Sequence, residues 1–281
     1  MPGTSSRRGK SAAVALAFVV LLGGGAYLAF RHVAPLLAPS SGCEVKTRGQ
    51  ALRLSPSQAG IAATIAAVAR REGLPRRAVT IAYAAALQES KLENLKYGDR
   101  DSVGVFQQRP SQGWGRTRQL EDPVYAATKF FDALTLVRGY QTMAVYRAAQ
   151  AVQRSADGSA YIQYEKMAAS LSRGFTGDDP RAVWCWYPKP SGPRARLGAA
   201  SQQLARAFGP LPLRAASDPR LTVVVARPAE GWSVAAWLVS HASGYGITRV
   251  RCGRFEWRAA SGASGWTRAP VPAPAGQVQV G

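Results

Sequence analysis

Apolar residues recur at helical spacing in the segment that follows residue 54. Ile61, Ile65 and Val68 occupy positions i, i+4 and i+7, which places them on one face of a helix. Ser55 is suited to the N-cap, and Gln58 stands at the spacing of a capping box. The pattern therefore predicts an amphipathic helix that begins just after Ser55.

A second helix is predicted from about Pro75 to Ser90. It carries alanine at many positions, and a helix with so few polar residues is typical of one that is buried on several sides. Its last turn holds Glu89, so a carboxylate ends an apolar helix. A polar, glycine-containing segment follows over residues 91–121, as a long loop or with a short hairpin. Long ordered loops in compact domains are usually functional.

Three further helices are predicted before residue 185. One begins at Asp122-Pro123, one near Thr142 and one near Ser159. The apolar stripes of the first two are formed by Phe130, Phe131, Leu134, Val137, Val145, Ala148, Ala149 and Val152. The region 55–185 is therefore expected to form a mainly α-helical domain with one elaborate loop.

The chain changes character after residue 185. Residues 186–220 are rich in proline, glycine and arginine and are predicted to form a linker with one helix. Residues 221–269 show a strand-helix-strand-strand order, which predicts a small C-terminal α/β domain. Residues 270–281 are expected to be a disordered tail.

The N-terminal pattern indicates a membrane anchor. Residues 11–30 contain no charged residue, and at 1.5 Å per residue a helix of this length spans about 30 Å, the thickness of the hydrocarbon core. The basic segment 1–10 would stay in the cytoplasm, and residues 31–54 would form a spacer. We expect a single-pass protein of the cell membrane with most of its chain extracellular. A cleaved signal and a secreted protein are the alternative.

The charge of the chain favours an anionic partner. The formal net charge is +20, from 36 Lys and Arg against 16 Asp and Glu. Because most of the chain is expected outside the cell, nucleic acid is not an expected partner. The charge instead indicates affinity for anionic cell-wall polymers or for the membrane surface.

Three cysteines, Cys43, Cys185 and Cys252, permit one disulfide in an oxidising compartment. A Cys43–Cys185 bond would join the two ends of the central segment, whereas Cys185–Cys252 would link that segment to the C-terminal part. We favour the first pairing. No cysteine or histidine cluster has metal-ligand spacing, and the sequence indicates no metal or cofactor.

The candidate chemistry in the central segment is that of a carboxylate. The two histidines, His32 and His241, lie outside the glycine-rich loop, which disfavours nucleophilic catalysis that depends on histidine. Glu89 lies at a helix C-terminus, where the partial negative charge of the helix makes ionisation costlier. A carboxyl group kept protonated in this way can serve as a general acid. Glu93 has an equal claim on these grounds, and a solvated surface position is the alternative for both.

Two short motifs carry a resemblance to a known family. Glu89-Ser90 ends a helix, and Gly104-Val105-Phe106-Gln107 follows in the loop. In this the chain resembles the lytic transglycosylase superfamily, in which a helix ends in Glu-Ser and a later loop carries Gly-x-Met/Phe-Gln. The run over residues 55–172 is similar to lysozyme-like domains of wall-associated actinobacterial proteins. The family's later Ala-Tyr-Asn-Ala-Gly run is missing, and "AVYRAAQAVQRSA" stands in its place.

The resemblance implies a reaction on peptidoglycan glycan strands. Glu89 would protonate the bridging oxygen between N-acetylmuramic acid and N-acetylglucosamine, and the sugar's own hydroxymethyl oxygen would close a 1,6-anhydro ring. Glu89 would then act as the base. Hydrolysis by water is the near variant, and it favours a second carboxylate, for which Asp99, Asp101 and Asp122 are candidates.

The resemblance also implies a set of substrate contacts. Gln107 would hydrogen-bond the substrate near the scissile bond, and Ser90 would orient Glu89 or contact a sugar. Aromatic rings stack on the apolar faces of sugars, although core packing is the alternative for each ring. The candidate substrate-binding residues are Ser90, Tyr97, Phe106, Gln107, Trp114, Tyr146 and Gln153.

The sequence thus predicts a lysozyme-like α domain, a small C-terminal α/β domain and an N-terminal transmembrane helix. The predicted function is that of a membrane-anchored peptidoglycan lytic enzyme, a lytic transglycosylase or a muramidase-type glycosidase. A non-catalytic wall-binding or scaffold protein with the same groove is the alternative, and an anionic-lipid-binding protein is a third class. Tryptophans of the C-terminal part either bind wall or pack in its core: Trp232, Trp237, Trp257 and Trp266.

Overall fold

The computed structural model describes residues 41–48, 50–155, 158–187, 195–216 and 220–281. Within these residues no helix has the length and apolar character needed to cross a bilayer. The predicted basic segment 1–10, the predicted anchor 11–30 and the first part of the predicted spacer lie outside the described residues.

The first part of the described chain is mainly helical. Two strands lead into a series of helices, and a third strand ends the series. The elements are β1 (Gly42–Thr47), β2 (Gln50–Leu54), α1 (Pro56–Arg71), α2 (Arg76–Ser90), α3 (Thr117–Leu120), α4 (Pro123–Thr135), α5 (Val145–Gln153), α6 (Glu165–Phe175) and β3 (Val183–Trp186). Short 3₁₀ helices cover Pro110–Gln112 and Ser159–Tyr164.

The second part combines helices with a larger sheet. Its elements are α7 (Leu197–Phe208), β4 (Leu213–Ala216), β5 (Arg220–Val224), α8 (Pro228–Ser240), α9 (Ala242–Tyr245), β6 (Arg249–Cys252), β7 (Phe255–Arg258), a 3₁₀ helix (Ala259–Ser264), β8 (Thr267–Arg268) and β9 (Gln277–Val280). An α-rich part and a smaller α/β part were both expected, and this coarse architecture is confirmed.

The predicted start of the first helix is confirmed by its cap. The Ser55 hydroxyl accepts a hydrogen bond from the amide of Gln58 at 3.1 Å, and the Gln58 side chain accepts one from the amide of Ser55 at 2.9 Å. This reciprocal pair satisfies amides that the first turn of a helix leaves without partners. Pro56 occupies the first turn, where a missing N–H costs nothing.

The spacer prediction for residues 31–54 is wrong in its last part. β1 and β2 pair in an antiparallel ladder, and β3 pairs with the other edge of β1 to complete the sheet order β2-β1-β3. Cys43 stands opposite Cys185 in this ladder, and the two form a disulfide, as predicted. Cys252 is a buried free thiol. The disulfide holds the N-terminal strand against the end of the helical part.

The prediction of a disordered C-terminal tail is also wrong. β9 lies between β5 and β6 in an antiparallel sheet of order β4-β5-β9-β6-β7-β8. Val278 and Val280 are buried, whereas the alternating Gln277 and Gln279 are half-buried. The tail is ordered because its backbone pairs on both edges and its valines enter the core.

The helical part and the C-terminal part share one continuous core. Helix α8 packs against α1 and α6. Trp257 Nε1 donates to the carbonyl oxygen of Cys185 at 2.8 Å, and Trp266 Nε1 donates to that of Val183 at 2.7 Å. Trp237 and Trp257 are 2% and 0% exposed, so these two rings pack in the core and offer no wall-binding surface.

Candidate functional site

Glu89 lies in the last turn of α2, and its side chain is half-buried. The hydroxyl of Tyr161 donates a hydrogen bond to Oε1 of Glu89 at 2.8 Å. Tyr161 belongs to the 3₁₀ helix that precedes α6, and it is 1% exposed. A carboxylate at the end of an apolar helix is therefore held by a buried hydroxyl from a distant part of the chain.

The backbone leaves the helix abruptly after Ser90. Lys91 and Leu92 both adopt positive φ values, of 58° and 62°, and Leu92 is fully buried. This left-handed turn ends the helix and sends the chain into the loop. The Lys91 ammonium contacts the Tyr164 hydroxyl and lies 4.6 Å from the centre of the Tyr164 ring. The end of α2 is thus bound to the 3₁₀ helix at two points.

The motif Gly104–Gln107 lies in a tight turn, as expected if the segment 91–121 contains a short hairpin. Val103 and Gln108 form an isolated antiparallel bridge, with both N–H···O distances at 3.1 Å. The amide of Gln107 donates to the carbonyl oxygen of Gly104 at 3.3 Å within this turn. Gly104 has φ +79°, and a Cβ there would overlap the carbonyl oxygen of Leu120. Glycine is therefore required at 104 for both conformation and space.

Two side chains fix this turn to the neighbouring helices. The hydroxyl of Ser90 lies 2.7 Å from the carbonyl oxygen of Val105 and donates to it, and the amide of Glu93 donates to the same hydroxyl at 3.2 Å. Gln153 Nε2, at the end of α5, donates to the carbonyl oxygen of Phe106 at 2.7 Å. The motif Gly104–Gln107 is therefore held beside the end of α2 from two directions.

Gln107 is half-buried, and its side chain lies along the loop. Its Nε2 donates to the carbonyl oxygens of Tyr97 at 3.3 Å and of Gly104 at 3.2 Å. A Cβ at Gly98 would overlap Oε1 of Gln107, so glycine at 98 makes room for this side chain. Gln107 therefore braces the loop.

The aromatic candidates have different surroundings. The Phe106 ring is fully buried and stacks on Phe130 with centroids 4.5 Å apart, so its expected role as a face for sugar is wrong. Tyr97 is 73% exposed. Trp114 is half-buried, and its carbonyl oxygen accepts a hydrogen bond from the hydroxyl of Tyr125 at 3.4 Å.

Tyr146 lies at the start of α5 and makes contacts of its own. Its amide donates to Oε1 of Glu165 at 2.9 Å, and its hydroxyl accepts from Arg147 Nε at 3.0 Å. The contacts that surround Glu89 instead involve Tyr161, which the sequence analysis did not single out. Tyr161 falls 72 residues after Glu89 on the face of a predicted helix, where an aromatic residue gives no functional signal.

The other acidic residues of the region are exposed or engaged elsewhere. Glu93 and Asp99 are exposed. Asp101 accepts from Arg109 Nε at 2.9 Å and from the amide of Ser111 at 2.7 Å, and these two donors hold the pKa of Asp101 well below its usual range. Asp122 accepts from the amide of Val124 as the N-cap of α4. Asp101 and Asp122 thus stabilise the loop and a helix start.

Within the described part of the chain, no cluster of three or more His, Cys, Asp and Glu residues could hold a metal ion. The comparisons with known proteins give no family either. No protein-family model matches the chain, and no curated protein matches it at a significant level. The case for a function therefore rests on the arrangement around Glu89 and on the resemblance of its two motifs.

Proposed function

We propose that the protein is a peptidoglycan lytic enzyme in which Glu89 is the general acid and base. The observation that supports this most directly is the half-buried Glu89 carboxyl at the end of an apolar helix, held by a hydrogen bond from the buried Tyr161. The Gly104–Gln107 turn is fixed beside it by Ser90 and Gln153. This is the pairing of elements on which the resemblance to lytic transglycosylases rests.

In the proposed reaction, Glu89 gives its proton to the oxygen that bridges N-acetylmuramic acid and N-acetylglucosamine. The C–O bond breaks, and the 6-hydroxyl oxygen of the muramic sugar attacks the anomeric carbon. Glu89 then takes the hydroxyl proton, so the acid is regenerated and a 1,6-anhydro end is formed. Because Tyr161 engages Oε1, we assign proton transfer to Oε2. Attack by water instead would give a hydrolytic muramidase.

The proposed location is the outer face of the cell membrane. The Cys43–Cys185 disulfide supports an oxidising compartment, since such bonds persist outside the cytoplasm. The uncharged stretch 11–30 would anchor the protein, and residues from about 31 onward would reach the wall. The proposed partners are glycan strands of peptidoglycan, anionic wall polymers and the membrane surface.

The test compares Glu89→Gln with Glu93→Gln on purified peptidoglycan, with mass spectrometry of the released products. Glu93 is the matched control because it is an exposed carboxylate four residues away. We expect Glu89→Gln to lower product release by at least about 100-fold, the usual contribution of a general acid, and Glu93→Gln to keep it. An anhydro end would identify a transglycosylase and a reducing end a muramidase. Wild-type protein that binds wall but releases nothing would instead indicate a wall-binding or scaffold protein.

A further inference from the structure

The lining of a strongly basic cavity does not include Glu89. Its volume is about 840 Å³, and it is lined by residues at the end of α1, on α3, at the start of α4 and at the end of α7. The charged residues of this basic cavity are Arg71, Arg116, Arg118, Lys129, Arg206 and Asp122. Five cations and one carboxylate thus face a single volume.

Hydrogen bonds between three helices brace one wall of the basic cavity. Arg71 donates to the hydroxyl oxygen of Thr128 at 2.6 Å and to the carbonyl oxygen of Arg206 at 2.5 Å. Arg206 in turn pairs with Asp122. The contacts hold these guanidinium groups in place before any ligand arrives, which lowers the cost of ordering them on binding.

Two cations of the basic cavity have no counter-ion among the described residues. Arg71, Lys129 and Arg206 each form an ion pair, with Glu72, Asp132 and Asp122 respectively. Arg116 and Arg118 are exposed, and within the described part of the chain neither forms an ion pair. Two positive charges at this cavity are therefore available for an external anion.

These features define the chemistry of the ligand. The planar guanidinium group matches phosphate oxygens with two parallel hydrogen bonds. Each phosphodiester carries one negative charge, so two successive diesters would balance Arg116 and Arg118. The cavity volume exceeds that of one phosphate group and lies in the range of about 300–1,000 Å³ that small-ligand sites occupy.

We propose that the basic cavity binds a phosphodiester-linked polyol polymer, with successive phosphates on Arg116 and Arg118 and with the braced Arg71 and Arg206 beside them. Nucleic acid fits less well, because single strands need aromatic platforms on which bases stack. The aromatic residue of this lining, Tyr125, already donates to the Trp114 carbonyl oxygen and lies near the Lys129 ammonium. The proposal does not depend on the chemistry of Glu89.

The experiment measures binding to the full chain in non-ionic detergent by calorimetry. The probes are a synthetic glycerol phosphate oligomer, inorganic phosphate, an oligoglutamate of equal charge and an oligonucleotide of equal phosphate number. We expect the glycerol phosphate oligomer to bind at least tenfold more tightly than each of the other three. The double variant Arg116→Gln/Arg118→Gln should weaken its binding at least tenfold.

The control variant Arg138→Gln/Arg254→Gln removes the same charge from two exposed arginines outside the cavity, and it should change the affinity less than twofold. Glu89→Gln should bind the oligomer as the wild type does, which separates this site from the proposed catalytic one. The proposal would be overturned if both double variants lost the same affinity for the glycerol phosphate oligomer. It would also be overturned if the wild type bound oligoglutamate or the oligonucleotide as tightly as that oligomer. Vesicles that contain phosphatidylglycerol test whether the phosphate comes from a lipid instead. If the protein bound these vesicles through Arg116 and Arg118 but did not bind the glycerol phosphate oligomer, the ligand would be a lipid headgroup and not the polymer.

Discussion

The hydroxyl of Tyr161 and the carboxylate of Glu89 meet at 2.8 Å although the residues are 72 positions apart in sequence. Burial is the main cause that raises the pKa of Tyr161 above its usual range, and the negative charge of Glu89 raises it further. The hydroxyl therefore remains protonated at every pH at which the protein would work. It acts as a permanent donor that fixes one oxygen of the carboxyl group.

Replacing Tyr161 by Phe keeps the buried ring and removes this donor. The bond strengthens as Glu89 gives up its proton and becomes charged, and a hydrogen bond to a charged group contributes about 1.5–3 kcal/mol, so we expect product release from peptidoglycan to fall about tenfold or more. Tyr164→Phe is the matched control, because its hydroxyl contacts Lys91 instead of Glu89. A wild-type rate for Tyr161→Phe, or an equal loss for both variants, would contradict the assigned role.

Gly104 and Gly113 provide a matched pair for the loop turn. Both have φ +79°, but a Cβ at 104 would overlap the carbonyl oxygen of Leu120, whereas nothing lies within 4 Å of one at 113. Gly113→Ala should cost about 1–2 kcal/mol of unfolding free energy from the left-handed backbone alone. Gly104→Ala should cost clearly more and should also displace Gln107. Urea unfolding of the two variants checks this, and equal costs would show that the close approach to Leu120 is unimportant.

Much of the helical part could be predicted because its signals are local. The cap at Ser55 and the apolar stripe of α1 lie within one short segment. The cap at Asp122 and the apolar stripe of α4 lie within another. Glu89 could be proposed because helix, loop and motif are close in sequence. Tyr161 could not, because its role depends on packing that brings α2 and the later 3₁₀ helix together.

The strands were harder to predict for a related reason. β9 has the alternation Gln-Val-Gln-Val that suits a half-buried strand, but so short a run gives little local signal, and its order comes from the strands that pair with both of its edges. The surrounding proline- and glycine-rich composition indicated disorder, and the partner strands β5 and β6 come from elsewhere in the chain. The same holds for β1, which is ordered by β2 and by the distant β3.

Val278 tests the corrected view of the tail. It is fully buried in β9, where the amide and carbonyl groups pair with strands on both sides. Val278→Ala should lower the free energy of unfolding by about 2 kcal/mol, as the removal of buried methyl groups does. Gln279→Ala, at the next and half-buried position, should change it by less than about 1 kcal/mol. Equal small effects would indicate that the tail does not belong to the folded core.

The Cys43–Cys185 disulfide closes a loop of 142 residues. The entropy of closing a loop of this length predicts a stabilisation of about 4–5 kcal/mol. Removal of a native disulfide typically costs about 2–5 kcal/mol. The double variant Cys43→Ala/Cys185→Ala should therefore lose at least about 2 kcal/mol in urea unfolding without reductant. Cys252→Ala is the control for the loss of a buried thiol, and its stability relative to the wild type should not depend on the redox conditions. A double variant as stable as the wild type would show that the bond contributes nothing to folding.

His241 gives the protein a pH-dependent stability. Burial is the main cause that lowers the pKa of His241 from 6.5 to about 4, and a weaker opposing effect comes from its hydrogen bond with the carbonyl oxygen of Trp237, whose ring stacks on the imidazole at 4.0 Å. Between these two pH values the unfolded chain binds more protons than the folded one, so folding weakens as the pH falls from 6.5 to about 4.

We therefore compare the wild type with His241→Asn, which cannot titrate in this range, by urea unfolding at pH 7.5 and 4.5. From pH 7.5 to 4.5 the free energy of unfolding should fall by about 2 kcal/mol more for the wild type than for the variant. The reason is that the buried imidazole resists protonation in the folded state, whereas it is protonated in the unfolded chain. Other groups titrate in both proteins, so their contributions cancel in the difference. Above pH 7 the difference between the two proteins should be constant and reflect packing on Trp237. Parallel losses for both proteins would show that His241 titrates in the folded state as it does in the unfolded chain.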